Sequence, residues 1–139
     1  MHVSAGTGVR APRRLLQRAV RAACAALGVG DAEISLALLG DGDITALNRQ
    51  HLGRDYAPDV LSFALYEPGE RVVGDVYVGI EQAVRQANEA GVPVREELVR
   101  LAVHGTLHVL GMDHPEGAAK RSRSAMFRRQ ETIVRDLLG

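Results

Sequence analysis

Three histidines within eleven residues, His104-Gly105-Thr106-Leu107-His108-Val109-Leu110-Gly111-Met112-Asp113-His114, constrain this chain more than any other feature. They close a segment, residues 94–110, whose apolar residues lie almost all round a helix, the pattern of a buried central helix. His104 and His108 are four apart, so they share one face and one turn. Two imidazoles so placed reach a single zinc ion at about 2.0–2.1 Å. Gly111 admits the positive φ that stops a helix, and the returning chain brings His114 as a third ligand from another direction. A lone helical histidine is more often a surface or partly buried residue, and a bare HxxxH pair often arises by accident. The third histidine behind a helix-stopping glycine, in apolar surroundings, makes accident a poor account. His2 and His51 fall outside the pattern and are given no role.

Three neutral ligands leave the ion its full charge and an open fourth position, which marks catalytic rather than structural zinc. Water bound there has its pKa lowered to about 7, and the ion polarises a phosphoryl or carbonyl oxygen. The expected chemistry is hydrolysis. A zinc peptidase carries glutamate directly after the first histidine as general base. Gly105 stands in that position, so peptide hydrolysis is a distant alternative. Asp113 fits a hydrogen bond to a ligand histidine, or a cap on the turn, better than a base. Imidazole suits nickel and iron as well as zinc.

Around this cluster the sequence predicts one α+β domain over residues 1–139: a small mixed sheet with about five helices, and the zinc site at the end of the central buried helix. A hydrophobic share of 46% and a charged share of 24% are globular values. Pro12 opens a helix with Leu16, Val20, Ala23 and Leu27 inward, closed by Gly28. Residues 33–39 alternate as a strand, with Ile34, Leu36 and Leu38 on one face. A turn at Gly40-Asp41-Gly42 precedes a short helix at 43–51 with Ile44 and Leu47 inward. Strands follow at 60–65 and 72–78. A helix at 80–90 buries Ile80, Ala83, Val84 and Ala87 and ends at Gly91. The last helix, 118–138, turns Met126, Ile133 and Leu137 inward. Cys24 is the only cysteine, so no disulfide forms within the chain, and in the reducing cytoplasm that this fits no disulfide-linked partner is expected; it reads as core filler. No run approaches a membrane span, and residues 1–12 hold no apolar core of signal-peptide length.

The histidine block resembles the HGxLHLxGYDH signature of the YbeY family of bacterial zinc endoribonucleases, with Val109 and Met112 as departures. Pro58-Asp59-Val60-Leu61-Ser62-Phe63 is similar to the family's TDVLSF, with proline for threonine, and Gly74-Asp75-Val76-Tyr77-Val78 is similar to its GDIxI strand. Asn48 matches an asparagine upstream of the second block. The resemblance runs from about Ile34 to the last helix. It implies zinc held by His104, His108 and His114 at the floor of a cleft, and cleavage specific for single-stranded RNA. It also implies maturation of the 16S rRNA 3′ end on the small ribosomal subunit and a part in ribosome quality control. Many members carry an RNA-contacting arginine four residues after the asparagine. Here that position is Leu52, and Arg54 is the nearest guanidinium, as RNA contact or as a solvated loop arginine. Asp59, Ser62 and Asp75 match family positions that line the cleft; a strand-entry turn for Asp59 and packing for Ser62 are the plainer readings. Tyr56, Tyr66 and Phe63 are candidates for base stacking, although the core has first claim on Phe63.

Basic and acidic side chains number 17 each, which argues against a polyanionic partner until their positions are counted. Residues 1–30 hold five arginines and no acid (+5), residues 31–114 six bases and fourteen acids (−8), and residues 115–139 six bases and three acids (+3). Basic terminal helices thus flank an acidic centre, either as two solvated amphipathic helices or as helices that meet phosphates at the cleft rim. Two cleavage chemistries remain open, attack by water on phosphorus or attack by the ribose 2′-OH. The rival from another class is a ribosome-assembly factor that binds RNA and uses zinc for structure alone.

Overall fold

The structure, a computed structural model, describes residues 2–5, 11–112 and 125–139, with residues 2–5 described at the backbone. Its strands are β1 (His2–Ala5), β2 (Ala32–Leu39), β3 (Val60–Ala64) and β4 (Val72–Gly79). They form one mixed sheet in the order β1-β2-β4-β3. β1 and β4 both run parallel to β2, and β3 closes the edge antiparallel to β4. The sequence reading assigned no strand before Pro12. Four residues are too few to show alternation, and β1 exists by pairing with β2.

Five helices stand among the described residues: α1 (Arg13–Ala26), α2 (Asp41–Leu52), α3 (Ile80–Ala90), α4 (Val94–Val109) and α5 (Ala125–Leu138). The α+β architecture is therefore as the periodicities indicate. α4 is the hub, packed on α1, α3 and α5 and against β3 and β4. Its buried Leu98, Val99, Ala102, Val103 and Leu107 meet Leu16 and Val20 of α1, Ile34, Leu36 and Leu38 of β2, and Val76 and Val78 of β4. Each of these larger side chains contributes about 1.5–3 kcal/mol by leaving water, as an upper estimate. Cys24 is buried in this core, and burial pushes its thiol pKa up, as suits an inert filler.

Two glycines let α4 lie close on the sheet. A Cβ at Gly105 would stand 2.5 Å from Val76 Cγ1 and 3.0 Å from Ser62 Oγ. At Gly74 a Cβ would stand 2.4 Å from Val109 Cγ1. Gly111, at φ +99°, ends the turn after α4 as expected.

Tertiary partners account for the local departures. Gly40-Asp41-Gly42 is not a separate turn, because α2 begins at Asp41. The Asp41 N–H donates to Glu81 Oε1 at 2.9 Å, and its carboxylate accepts from Arg85 Nη2 at 2.9 Å. Asn48, not Leu47, accompanies Ile44 into the interior. Val84 is 37% exposed rather than inward, since α3 needs only Ile80, Ala83 and Ala87 to seat itself. Phe63 does not join the core. It is half-buried on the sheet face away from α4, its ring centroid 5.0 Å from His51 and 6.0 Å from Tyr77. No helix among the described residues is long and apolar enough to cross a membrane.

Candidate metal centre and cleft

The last turns of α4 carry His104 and His108, whose rings stand edge to face with centroids 4.7 Å apart and planes at 77°. Helical spacing sets this pairing, and the glycine between them presses the opposite side of the turn onto β3 and β4. Both rings line a cavity of about 830 Å³. Its other walls come from the end of α2 (Asn48, Leu52), the following loop (Arg54, Tyr56, Asp59), β3 (Ser62) and α3 (Gln82, Gln86). Arg54, Asp59 and Ser62 therefore share one cleft with both histidines. His114 and Asp113 lie outside the described residues. Among the described residues no three histidine, cysteine or carboxylate side chains form a metal-binding group.

Asp75 is placed elsewhere. Strand alternation turns Gly74, Val76 and Val78 toward α4 and Asp75 to the opposite face, with Phe63 and Tyr77. There it accepts a long hydrogen bond from Tyr77 Oη at 3.5 Å. Burial, reinforced by this carboxylate, pushes the Tyr77 phenol pKa up. The described lining of the cavity does not include Asp75.

Polar contacts hold the cleft walls. Gln86 Nε2 donates to Asp59 Oδ2 at 3.2 Å, and the Gly79 N–H donates to the Asp59 carbonyl at 2.8 Å, so Asp59 both faces the cleft and anchors the entry to β3. Asn48 is fully buried and donates Nδ2 to the Tyr56 carbonyl at 3.1 Å, while its Oδ1 accepts from no described group. Tyr66, considered as a stacking residue, instead donates its hydroxyl to the Val109 carbonyl at 2.6 Å and so closes the end of α4 beside His108. Tyr66→Phe is expected to lower stability by about 1 kcal/mol in urea unfolding, the worth of one such bond.

Sequence reasoning missed one partner of the histidines. Gln130 of α5 is buried, and its Oε1 lies 2.7 Å from His104 Nδ1. The signal was present, since residue 130 continues the inward stripe of Met126, Ile133 and Leu137, and a glutamine there marks a buried hydrogen bond.

The basic N-terminal helix also sits apart from the rim. Arg13, Arg14 and Arg18 of α1 join Arg95, at the start of α4, around a groove of about 680 Å³. Arg95 and His108 are thirteen residues apart on one helix, a separation of roughly 20 Å at 1.5 Å per residue. The α1 arginines thus gather at the far end of α4, because the helix period that buries Leu16 and Val20 against it turns them outward there.

A histidine pair presented by a central helix to a polar cleft, within a mixed α+β layer, defines the class: an α+β domain with a candidate metal centre. The family model for the endoribonuclease YbeY matches residues 7–138. The chain is 44% identical over 131 residues to the endoribonuclease YbeY of Moorella thermoacetica, covering 86% of this chain and 82% of that one. It is 45% identical over 112 residues to that of Thermus thermophilus, covering 76% and 81%. The solution structure of TM1509 from Thermotoga maritima superposes with a TM-score of 0.68 at 28% identity, covering 100% of this chain and 90% of that one. This chain belongs to the YbeY endoribonuclease family.

Proposed function

We propose that this protein is a metal-dependent endoribonuclease that cleaves single-stranded RNA and trims the 16S rRNA 3′ end in the cytoplasm, with a part in quality control of the small ribosomal subunit. The observation that carries the reading is the pair of imidazoles on α4, 4.7 Å apart, at the wall of a cleft that an arginine also lines. The relatives' shared designation as endoribonucleases supports RNA as substrate. The donor set fits a divalent ion: His104 and His108 offer two nitrogens from one helical turn, and His114 is the proposed third ligand. Zinc bound there supplies Lewis-acid polarisation of a phosphoryl oxygen and a water of lowered pKa.

The chain's own residues position the strand. Arg54 is exposed, lines the cleft and pairs with no described carboxylate, so its guanidinium is available to phosphate oxygens. That placement supports Arg54 in the part that many family members give to the position of Leu52, which is 47% exposed at the same cleft. Asp59 and Ser62 offer an acceptor and a hydroxyl on the facing wall, and Tyr56, 53% exposed, offers a ring to a base. Cleavage of a defined single-stranded RNA by zinc-loaded protein tests the reading, and the product ends report the chemistry. A 2′,3′-cyclic phosphate rules out direct attack by water.

The exposed Leu52 at an arginine position favours the second reading, an RNA-binding assembly factor without catalysis. Cells carrying a metal-ligand variant separate the two: normal 16S ends with the variant, but abnormal ends without the protein, would favour assembly.

The arginine groove changes where phosphates are expected. A strand stacked at about 3.4 Å per nucleotide needs about six nucleotides to run the roughly 20 Å along α4 from His108 to Arg95, in whose groove Arg14 and Arg18 lie. The double variant Arg14→Ala, Arg18→Ala is expected to weaken binding of RNA longer than this and to make its salt dependence shallower by about 1.4 in log–log slope, at 0.7 per phosphate contact. Trinucleotide binding stays unchanged. Equal effects on both lengths, or on neither, would remove the groove from the RNA path.

A further inference from the structure

His104 does not stand alone on α4. Its Nδ1 lies 2.7 Å from Gln130 Oε1, and Gln130 Nε2 donates to Glu131 Oε2 at 2.9 Å. Glu131 in turn accepts from Arg100 Nε at 2.9 Å and Arg100 Nη2 at 3.1 Å, a two-pronged pair that crosses from α5 back to α4. Arg100 is further held by Glu96, at 3.1 Å. A carboxylate only accepts hydrogen bonds, so the amide group of Gln130 has one workable orientation: nitrogen toward Glu131, oxygen toward the histidine. Reversing it would set two oxygens against each other. With an amide oxygen facing it, His104 Nδ1 must be the protonated nitrogen, and Nε2 of the neutral ring carries the lone pair.

We propose that Gln130 is a positioning residue that selects the metal-binding tautomer of His104, with Glu131 and Arg100 fixing the amide that does the selecting. Gln130 is 5% exposed, so an unpaired amide there would be costly, and the relay leaves neither end of it unmatched. Burial pushes the Glu131 carboxyl pKa up, but the hydrogen bonds from Arg100 and Gln130 outweigh it and hold the group below its usual value. The relay is therefore charged at its outer end and neutral where it meets the ring. A glutamine accepts from the ring without adding a negative charge beside the metal, unlike the carboxylate partners that many metal-bound histidines use.

The inference rests on the reading of His104 as a ligand, and the experiment separates the two. Zinc affinity is measured by competition with a chelator, and the His104 tautomer by long-range proton–nitrogen NMR of the metal-free protein. Wild type is expected to show Nδ1–H at His104. Gln130→Leu should lose that preference and bind zinc about 10–100-fold more weakly, the usual cost of losing such a partner. The double variant Gln130→Glu, Glu131→Gln keeps an acceptor toward His104 and a donor–acceptor match between residues 130 and 131, and should keep both the tautomer and, to within about threefold, the affinity. Glu131→Ala touches neither the ring nor the buried glutamine's volume, yet should loosen the tautomer preference and weaken zinc binding, and it carries the same test should Gln130→Leu fail to fold. Zinc that does not bind wild type sinks the ligand reading. Zinc that binds wild type and Gln130→Leu alike, an unchanged tautomer in Gln130→Leu, or a Gln130→Glu, Glu131→Gln double variant as weak as Gln130→Leu sinks the positioning role alone.

Discussion

His108→Ala is expected to abolish zinc binding and RNA cleavage together, lowering the cleavage rate at least about 10³-fold, or some 4 kcal/mol of transition-state stabilisation. Two helical imidazoles hold an ion because the backbone has already ordered them, and one imidazole from the same turn gives up most of that advantage. The substitution should leave the fold intact, since the His108 side chain lines the cleft and the contacts that seat α4 are made by Val103, Leu107 and Val109 on the buried side. The checks are metal content after gel filtration, cleavage of a defined single-stranded RNA, and an unchanged thermal transition in the metal-free state. His114→Ala is expected to give the same loss, and that variant tests the third ligand directly. Cleavage at the wild-type rate by His108→Ala would show that the activity belongs to another site or another protein. Zinc retained by His114→Ala at wild-type affinity would place the third ligand elsewhere.

What could be read in the sequence was local and periodic. The alternation of Ile34, Leu36 and Leu38, the all-round apolar character of α4 and the four-residue histidine spacing each follow from one period, and each stands in the structure as read. Strand parity also held information the reading did not use. Residue 75 is out of phase with Gly74, Val76 and Val78, so with these turned toward α4 it falls on the sheet face away from the two histidines. What could not be read depends on partners distant in sequence. The start of α2 is decided by Glu81 and Arg85, some forty residues on. The burial of Asn48 depends on the loop carbonyl of Tyr56. The far-end grouping of the α1 arginines with Arg95 comes from helix packing. Charge counts by segment showed that the terminal helices are basic, but only the packing of α1 on α4 says which end of the molecule they charge.

Gly105→Glu, which would write a zinc-peptidase motif into the helix, is expected to destabilise the protein by more than about 4 kcal/mol and to confer no peptidase activity. The Cβ of any residue at 105 points at the sheet, toward Val76 Cγ1 (2.5 Å), Ser62 Oγ (3.0 Å) and Val60 Cγ2 (3.1 Å). Val76 is fully buried, and two of these neighbours are β-branched and stiff, so none is the loose end of a flexible chain. Even Gly105→Ala must push α4 off the sheet or the strands apart, an overpacking cost of about 1–3 kcal/mol. Glutamate adds a carboxylate beside two valines and a serine, the nearest described neighbours of its Cβ, and an uncompensated buried charge costs about 3–5 kcal/mol. Against a total stability of about 5–15 kcal/mol, that sum removes a large share of the margin and at the lower end of the range unfolds the protein. Urea unfolding of wild type, Gly105→Ala and Gly105→Glu should give midpoints falling in that order. A glutamate variant as stable as wild type would mean that α4 does not dock on β3 and β4 through Gly105. In a zinc peptidase the residue after the first histidine must face the substrate, whereas here it faces the sheet. The same close approach of α4 that positions both histidines at the cleft wall therefore removes the place for a peptidase base.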